Sequence, residues 1–258
     1  MKNLLSEQII PFLQKKFPNL EHLQSRIIRT SGLGESNLND MIKDFILNNK
    51  RLNVGIYASP EDIQIQLNAL SKTSEETKSI LDQATEQLKV LLGDYIFGYD
   101  DESLEGIIGK LLKRKNMTLA VAESCTGGML GGAITAVPGS SDYFKGGIIS
   151  YDGEIKENLL GVPHSILINF GQVSEPTARA MAEGVRKKCN SDLGLSITGI
   201  AGPAGGSVEK PVGLVYIALA DCEQVLVQKH QFHNDRQAIR LRSVRRALNM
   251  LRLYLIKG

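Results

Sequence analysis

Glycine-rich stretches that carry hydroxyl side chains suggest where this 258-residue chain could do chemistry. The first contains Ser124 and Thr126, which come directly after the apolar run 119–122, a pattern typical of a strand buried on both faces. Ser124 at such a strand end is placed to act as a nucleophile if a neighbouring base accepts its proton. Alternatively, Ser124 or Thr126 only caps the helix predicted over 127–137.

The start of this predicted helix is also suited to bind an anion. The free amides of a first helical turn and the positive end of the helix dipole stabilise a bound anion or a developing oxyanion, and Gly127 lets a ligand approach the backbone closely. Cys125 is a competing nucleophile, because a helix N-terminus lowers the pKa of a thiol. Without a paired histidine, however, a packed small residue is the better interpretation of Cys125.

Lys156 is the candidate base, since no histidine is placed with an acid in a way that would activate a serine. A lysine can serve if desolvation or a neighbouring charge lowers its pKa toward neutrality. Lys156 lies five residues beyond Tyr151 at a predicted strand-to-helix junction, which would carry both side chains to the same rim. The alternative, an ordinary solvated helix lysine, would be favoured if no other candidate site residue accompanied Lys156.

Three other segments are candidates for the same site. The segment 138–142 contains Ser141, and the long connection 198–213 has five glycines and two prolines, which is typical of functional or mobile loops, or of a surface loop shaped by turn residues. Ligands of open α/β sheets bind beyond the carboxyl ends of the strands, so the loops at 124–128 and 198–213 are expected to converge. Arg236 opens the last predicted helix, and an arginine at a helix N-terminus suits a phosphate.

The composition excludes several other classes of protein. A net charge of +2 gives no general attraction to nucleic acid, and the three cysteines and four scattered histidines predict neither a disulfide framework nor a metal site. No cofactor is expected. The sequence has no apolar run of about 18 residues and no signal-peptide pattern, so no membrane partner and a cytoplasmic location are expected.

The N-terminal part of the sequence predicts a lead-in segment over 1–24, with a helix that ends at Pro18. A small α+β domain is predicted over 25–95. The elements of this domain are predicted as strand 26–30, helix 37–48 capped by Ser36, strands 52–59 and 63–70 joined in a hairpin, and helix 74–92. The order resembles a KH-type domain, but the segment 31–35 lacks the GxxG loop that clamps a nucleic-acid backbone. A structural or dimerising domain is therefore predicted, with RNA binding as the alternative.

Residues 96–103 are predicted to be a linker, and residues 104–258 a three-layer α/β/α domain with a mixed sheet whose last strands form an antiparallel pair. The predicted helices are 104–115, 127–137, 154–160, 175–189 and 235–256. The predicted strands are 118–123, 147–151, 193–198, 212–220 and 224–232.

Six motifs occur in order along this second domain. They are Ala122-Glu-Ser-Cys-Thr-Gly-Gly, Pro138-Gly-Ser-Ser, Gly147-Ile-Ile-Ser-Tyr with Lys156, Gly171-Gln-Val-Ser-Glu, Thr198-Gly-Ile-Ala-Gly-Pro-Ala-Gly-Gly and Lys210-Pro-Val-Gly. Together they resemble the CinA C-terminal family over about residues 103–256. The resemblance implies an enzyme of pyridine nucleotide salvage that hydrolyses the carboxamide of nicotinamide mononucleotide to nicotinate mononucleotide and ammonia.

The resemblance also implies roles for individual residues. Ser124 and Lys156 match a serine/lysine dyad, Ser141 and Tyr151 match supporting hydroxyls, and Arg236 fits an arginine that helps to hold the substrate. The remaining substrate contacts are expected from the backbone and side chains of Thr126, Gly127, Thr198, Gly199 and Gly202.

Residues 1 to 100 resemble the KH-like middle segment of longer CinA proteins, and the family suggests a homodimer. The N-terminal molybdopterin-binding-like domain of those proteins is absent from this sequence, so its ADP-ribose pyrophosphatase activity is not expected here. The alternative is a non-catalytic protein of competence or DNA damage that binds a nucleotide or nucleic acid, with the glycine loops holding the ligand without turnover.

Overall fold

The computed structural model describes residues 5–16, 21–59 and 62–257. The chain divides between Asp100 and Asp101 into two compact units. The first unit takes in the described residues up to 100, apart from the connection around residues 59–62, and the second takes in 101–257. The division falls inside the segment that the sequence predicts as a linker.

The first unit begins with a π-helical turn, Leu5–Ile9, that continues into a short α-helix. Pro18, which was predicted to end this helix, lies outside the described residues. The elements of the unit are α1 (Ile10–Lys16), β1 (His22–Thr30), α2 (Glu35–Asn48), β2 (Leu52–Ala58), β3 (Ile63–Ser71), α3 (Ser74–Leu92) and β4 (Ile96–Tyr99).

The strands of this unit form one antiparallel sheet in the order β2-β3-β1-β4. The predicted alternation in β3 is confirmed, because Ile63, Ile65 and Leu67 are buried while the residues between them are partly exposed. The buried face packs in one apolar cluster with residues of α2 and α3, such as Leu38 and Leu88. The predicted hairpin of β2 and β3 is also confirmed.

Two predictions in this unit are wrong. Residues 96–99 are not a linker but the strand β4, which pairs antiparallel with β1 and contains the buried Phe97. Ser36 does not cap α2, because the helix already begins at Glu35 and the capping position is taken by Gly34 without a side-chain hydrogen bond.

The second unit contains the elements that carry the candidate site. They are α4 (Leu104–Lys115), β5 (Leu119–Glu123), α5 (Met129–Thr135), β6 (Phe144–Ile149), α6 (Gly153–Leu160), α7 (His164–Phe170), α8 (Glu175–Lys188), β7 (Leu193–Gly199), β8 (Leu214–Ala220), β9 (Val225–Gln231) and α9 (Arg236–Lys257).

These strands form a mixed sheet, as predicted, and their order in the sheet is β6-β5-β7-β8-β9. The strand β5 is parallel to both of its neighbours, β6 and β7, whereas β8 and β9 complete the sheet with antiparallel pairs. The carboxyl ends of β5, β6 and β7 therefore lie along one edge of the sheet. Because every residue of β5 is buried, the first position at which this strand can offer a polar side chain to a ligand is its end.

Close packing of α8 fixes the position of α6. Residues of α8, including Met181 and Val185, share an apolar cluster with Ala120 and Ala122 of β5 and with Leu160 at the end of α6. A Cβ atom placed on Gly184 of α8 would come within 2.0 Å of the Leu160 carbonyl oxygen. Only glycine therefore lets these two helices approach so closely.

The short helix α7 was not predicted. Its seven residues include three isoleucine or leucine positions and Phe170, a composition that does not distinguish a short helix from a strand. Pro163 at its start and Gly171 at its end are the helix boundary signals from which it could have been predicted.

Gly184→Ala tests the close approach of α6 and α8. We expect the free energy of unfolding of the second unit to fall by about 1–3 kcal/mol, because the added methyl group overpacks the contact with a backbone oxygen. Gly132→Ala is the matched control, since a Cβ atom at this position in α5 meets no other atom within 4 Å. Urea unfolding of both variants measures the effect, and equal midpoints would contradict the packing argument.

Candidate active site

Ser124 and Lys156 meet at the carboxyl edge of the mixed sheet. Ser124 follows the last residue of β5, and Lys156 lies in α6, the helix that follows β6. The Lys156 Nζ atom is 3.3 Å from the Ser124 Oγ atom. Both residues are buried, Lys156 completely. The sequence predicted that these two side chains would share a site, and the fold brings them into hydrogen-bonding distance.

The Lys156 amine is otherwise surrounded by neutral oxygen atoms. It donates to the Ser150 carbonyl oxygen at 2.7 Å, and the Tyr151 carbonyl oxygen and the Gln172 Oε1 atom each lie 3.4 Å away. Burial lowers the pKa of Lys156 to about 8, although the charge of Asp152 opposes this shift. A sizeable fraction of Lys156 is thus neutral near physiological pH, and a neutral amine can accept a proton.

The helix α6 presents Lys156 to the site because of its own amphipathic pattern. Lys156 and Leu160 lie one helical turn apart on its buried face. The Asp152 side chain caps the helix by accepting a hydrogen bond from the Glu154 amide. The Ser150 amide in turn donates to the Glu123 carbonyl oxygen at 2.7 Å, which ties the end of β6 to the end of β5.

Glu123, rather than Ser124 or Thr126, occupies the N-terminus of α5. Its buried carboxylate accepts hydrogen bonds from the amides of Gly128, Leu130 and Gly131 at 2.8–3.0 Å. The prediction that a hydroxyl caps this helix is therefore wrong, as is the prediction that these amides are free for a ligand. The only sequence signal for the contact between the Glu123 carboxylate and these amides is the position of Glu123 at the end of the predicted strand.

Tyr151 and Arg236 form a second polar group beside the lysine. Arg236 Nη2 donates to the Tyr151 hydroxyl at 2.9 Å, and Arg236 Nη1 donates to the Gly202 carbonyl oxygen at 2.7 Å. Tyr151 therefore contacts Lys156 through its backbone carbonyl and not through its hydroxyl. Arg236, Tyr151 and the loop after β7 meet as the sequence predicted, with the guanidinium exposed.

Gln172 is a site residue that sequence reasoning missed. It follows α7, and its side-chain oxygen lies near the Lys156 amine. Its carbonyl oxygen accepts a hydrogen bond from the Thr198 Oγ1 atom at 2.8 Å. The completely buried Thr198 hydroxyl is thus engaged with the backbone of Gln172, and Gly199 packs against β8, where a Cβ atom would meet Val215.

Two buried hydroxyl groups next to the dyad have no hydrogen-bond partner within the described residues. They are the Oγ1 atom of Thr126 and the Oγ atom of Ser150. Buried polar atoms are normally paired, so the lack of protein partners is consistent with a site in which a bound ligand or water forms these hydrogen bonds. Cys125, between Ser124 and Thr126, is buried, and burial raises the pKa of its thiol to about 11, which disfavours it as a nucleophile.

Ser141 does not lie near the dyad. It belongs to a 3₁₀ turn, Ser140–Asp142, at the beginning of β6, whereas Lys156 and Ser124 lie beyond the opposite ends of the paired strands β6 and β5. The Ser141 side chain is exposed. The prediction that Ser141 supports the dyad is wrong for the site within one chain, because parallel pairing places the start and end of β6 at opposite edges.

One groove elsewhere in the second unit contains none of the predicted site residues. This groove has a volume of about 650 Å³ and is lined by residues of α6, α7 and α8. Gly127 is exposed at the start of α5.

Within residues 5–16, 21–59 and 62–257, no cluster of three or more histidine, cysteine, aspartate or glutamate residues could hold a metal ion. In the same ranges, no helix is long and apolar enough to span a membrane.

The fold and these contacts define an α/β protein in which a small antiparallel domain precedes, along the chain, a mixed-sheet domain that carries buried polar groups at its strand ends. The chain belongs to the CinA family. Residues 101–255 match the CinA C-terminal domain, and residues 25–98 match the damage-inducible protein CinA KH domain.

Relatives from several bacteria support this assignment. A protein of Thermoanaerobacter pseudethanolicus, named provisionally as a competence-damage inducible protein, is 42% identical over 253 residues, which are 98% of this chain and 60% of the relative. A CinA-like protein of Synechococcus sp. is 41% identical over 258 residues, covering 99% of this chain and 61% of the relative. The chain thus spans about 60% of the length of these relatives.

Solved structures share the fold of about 60% of this chain. The competence/damage inducible protein CihA from Agrobacterium tumefaciens has a TM-score of 0.58 and 39% identity, and the match covers 59% of this chain and 93% of that protein. A CinA superfamily protein from Klebsiella pneumoniae has a TM-score of 0.59 and 30% identity, covering 60% of this chain and 97% of that protein.

Glu123→Gln tests the carboxylate cap of α5. An amide side chain replaces one acceptor oxygen with a donor that faces backbone N–H groups, so we expect the free energy of unfolding to fall by about 1–3 kcal/mol. Glu154→Gln, in the exposed first turn of α6, is the control and should change stability by less than about 0.5 kcal/mol. Denaturant unfolding of both proteins provides the comparison, and similar stabilities would disprove the role of the Glu123 charge.

Proposed function

We propose that this protein hydrolyses the carboxamide of nicotinamide mononucleotide, giving nicotinate mononucleotide and ammonia. The observation that carries the proposal is the 3.3 Å contact between the Ser124 hydroxyl and a buried lysine whose pKa is lowered to about 8. Serine/lysine pairs are one of the recurring arrangements for acyl transfer. The choice of substrate rests on the family resemblance of the motifs that contain these residues.

In the first half of the reaction, neutral Lys156 takes the proton of the Ser124 hydroxyl, and the Oγ atom bonds to the carboxamide carbon. The carbonyl oxygen becomes an oxyanion. When the C–N bond breaks, the Lys156 ammonium returns the proton to the leaving nitrogen, and ammonia departs. The product of these steps is an ester between the nicotinoyl group and Ser124.

In the second half, a water molecule attacks the ester carbon and gives a proton to Lys156. The bond between the carbon and the Ser124 Oγ atom then breaks, and Lys156 returns the proton to Oγ. The acid that forms releases the second proton of the water to solvent and leaves as the nicotinate carboxylate, and the dyad is restored. Hydrogen bonds from Lys156 to the Ser150 carbonyl and to Gln172 would hold the amine in place through both steps.

Arg236 is the proposed contact for the phosphate of the substrate. Its exposed guanidinium lies beside Tyr151, and Tyr151 is connected to Lys156 through its own carbonyl oxygen. An arginine suits a phosphomonoester because its planar set of N–H donors matches the phosphate oxygens. Gly202, Thr126 and Gly127 remain proposed contributors to the substrate site. A homodimer remains a prediction from the family resemblance, and a cytoplasmic location remains a prediction from the sequence.

Ser124→Ala is expected to lower kcat for ammonia release by at least about 1000-fold, because the nucleophile is lost. Ser141→Ala is the matched control and should stay within about twofold of wild type, since Ser141 lies at the opposite edge of the sheet. Enzyme-coupled ammonia detection with nicotinamide mononucleotide measures both. Retained activity in Ser124→Ala with loss in Ser141→Ala would exchange the roles of the two serines.

The same assay separates catalysis from simple binding. If neither wild type nor Lys156→Ala released ammonia while both bound the nucleotide in calorimetry, the non-catalytic binding function would be the better conclusion.

The pH dependence of kcat/KM should follow the protonation of Lys156. Below its pKa the amine is an ammonium group and cannot accept the serine proton, so kcat/KM should rise with pH and level off above about 8. Asp152→Asn keeps a helix-capping side chain but removes the charge that raises this pKa, so the rise should move to lower pH. A rise that stayed in place or moved to higher pH would rule out Lys156 as the titrating base.

A further inference from the structure

Arg240 lies one helical turn beyond Arg236 in α9 and holds the backbone next to the proposed nucleophile. Its Nε atom donates to the Cys125 carbonyl oxygen at 3.1 Å, and its Nη2 atom donates to the Thr126 carbonyl oxygen at 2.8 Å. Neither the family resemblance nor the sequence patterns assigned a role to this residue. The two contacts fix the orientation of the peptide groups that follow Ser124.

Most amides around Ser124 already have acceptors. The Ser124 amide donates to the Ile197 carbonyl, and the Gly127 amide donates to the Ser124 carbonyl. The amides at the start of α5 donate to Glu123 or, for Met129, to the Thr126 carbonyl. Within the described parts of the chain, neither the Cys125 amide nor the Thr126 amide donates to a backbone oxygen atom, and of these two peptide groups Arg240 holds the one that contains the Thr126 amide.

The direction of the Thr126 amide follows from the contact with Arg240. A trans peptide group is planar, with its carbonyl oxygen and its N–H pointing in opposite directions. Because Arg240 holds the Cys125 carbonyl oxygen, the Thr126 N–H of the same peptide group points away from Arg240. This amide lies two residues from Ser124, beside the buried Thr126 hydroxyl that has no protein partner.

We propose that the Thr126 amide is an oxyanion donor for the amide hydrolysis proposed above, and that Arg240 is the positioning residue that aims it. An amide held in advance toward the developing oxyanion stabilises the transition state without having to reorganise. The serine attack gives the carbonyl oxygen a negative charge, and the Thr126 N–H donates a hydrogen bond to it. Arg240 contacts neither the substrate nor the reacting atoms in this arrangement.

Arg240→Gln and Arg240→Lys test the proposal against Arg242→Gln. Arg242 lies in the same helix but donates to the His233 carbonyl, away from Ser124. Loss of one oxyanion donor costs about 100- to 1000-fold in rate, so a misaligned donor should lower kcat by about 10- to 100-fold. Arg240→Lys keeps the charge but lacks the fork that reaches both carbonyl groups, and it should recover little of kcat.

Three further readouts separate this role from others. In both Arg240 variants KM for nicotinamide mononucleotide and the pH midpoint of kcat/KM should stay as in wild type, and Arg242→Gln should match wild type throughout. The rate at which a fluorophosphonate labels Ser124 should fall in parallel with kcat, because its phosphoryl oxygen occupies the position of the oxyanion. Binding of nicotinate mononucleotide and the thermal midpoint confirm that each variant is folded.

The outcomes are distinguishable from failure of the proposed function. If wild type releases no ammonia and its Ser124 is not labelled, the amide hydrolysis itself is wrong. If wild type is active and the Arg240 variants keep their kcat, only the positioning role is overturned. A raised KM with unchanged kcat would instead make Arg240 a substrate contact, and a shifted pH midpoint would mean that it acts through Lys156.

Discussion

The candidate site depends on an amine that is buried among neutral oxygen atoms. Removing an ammonium group from water costs several kcal/mol unless a charged partner compensates. Within the described residues, Lys156 is contacted by two carbonyl oxygens, one amide oxygen and one hydroxyl, and by no carboxylate. This environment favours the neutral amine while leaving acceptors for its N–H groups. The lone pair is then available in the direction of Ser124.

Lys156 can stay neutral only if nearby carboxylates are hydrogen-bonded to other groups or lie far from its amine. Glu123 precedes the nucleophile, and a free carboxylate there would stabilise the ammonium form of a neighbouring lysine. Its charge is instead directed to three amides of α5, a partner for which a helix N-terminus is well suited. The same contacts hold the turn that contains Ser124 and Thr126. One buried charge thereby stabilises the loop without favouring the protonated form of Lys156.

Much of the fold could be predicted from the sequence because its elements are long and periodic. The strands β3 and β7 and the helices α3 and α4 lie almost where apolar spacing placed them. The pairing of Ser124 with Lys156 was predicted from the family resemblance of their motifs, and the structure brings the two side chains together. Contacts between distant segments could not be predicted in this way. Gln172 reaches the amine only because an unpredicted helix precedes it. The role of Ser141 came from the family resemblance alone, although Ser141 precedes the predicted strand whose carboxyl end carries Tyr151.

Arg236 shows how the same contacts can serve structure and ligand binding together. A guanidinium has five N–H groups, and among the residues that the structure describes Gly202 and Tyr151 use two of those of Arg236. Three donors remain for a phosphate, so the arginine need not release either protein partner to bind one. The protein contacts fix the plane of the guanidinium in advance, which reduces the side-chain entropy lost on binding. They also connect the loop after β7 to the residue that follows Ser150, whose carbonyl holds Lys156. A phosphate bound at Arg236 would therefore be oriented by the same backbone that orients the base.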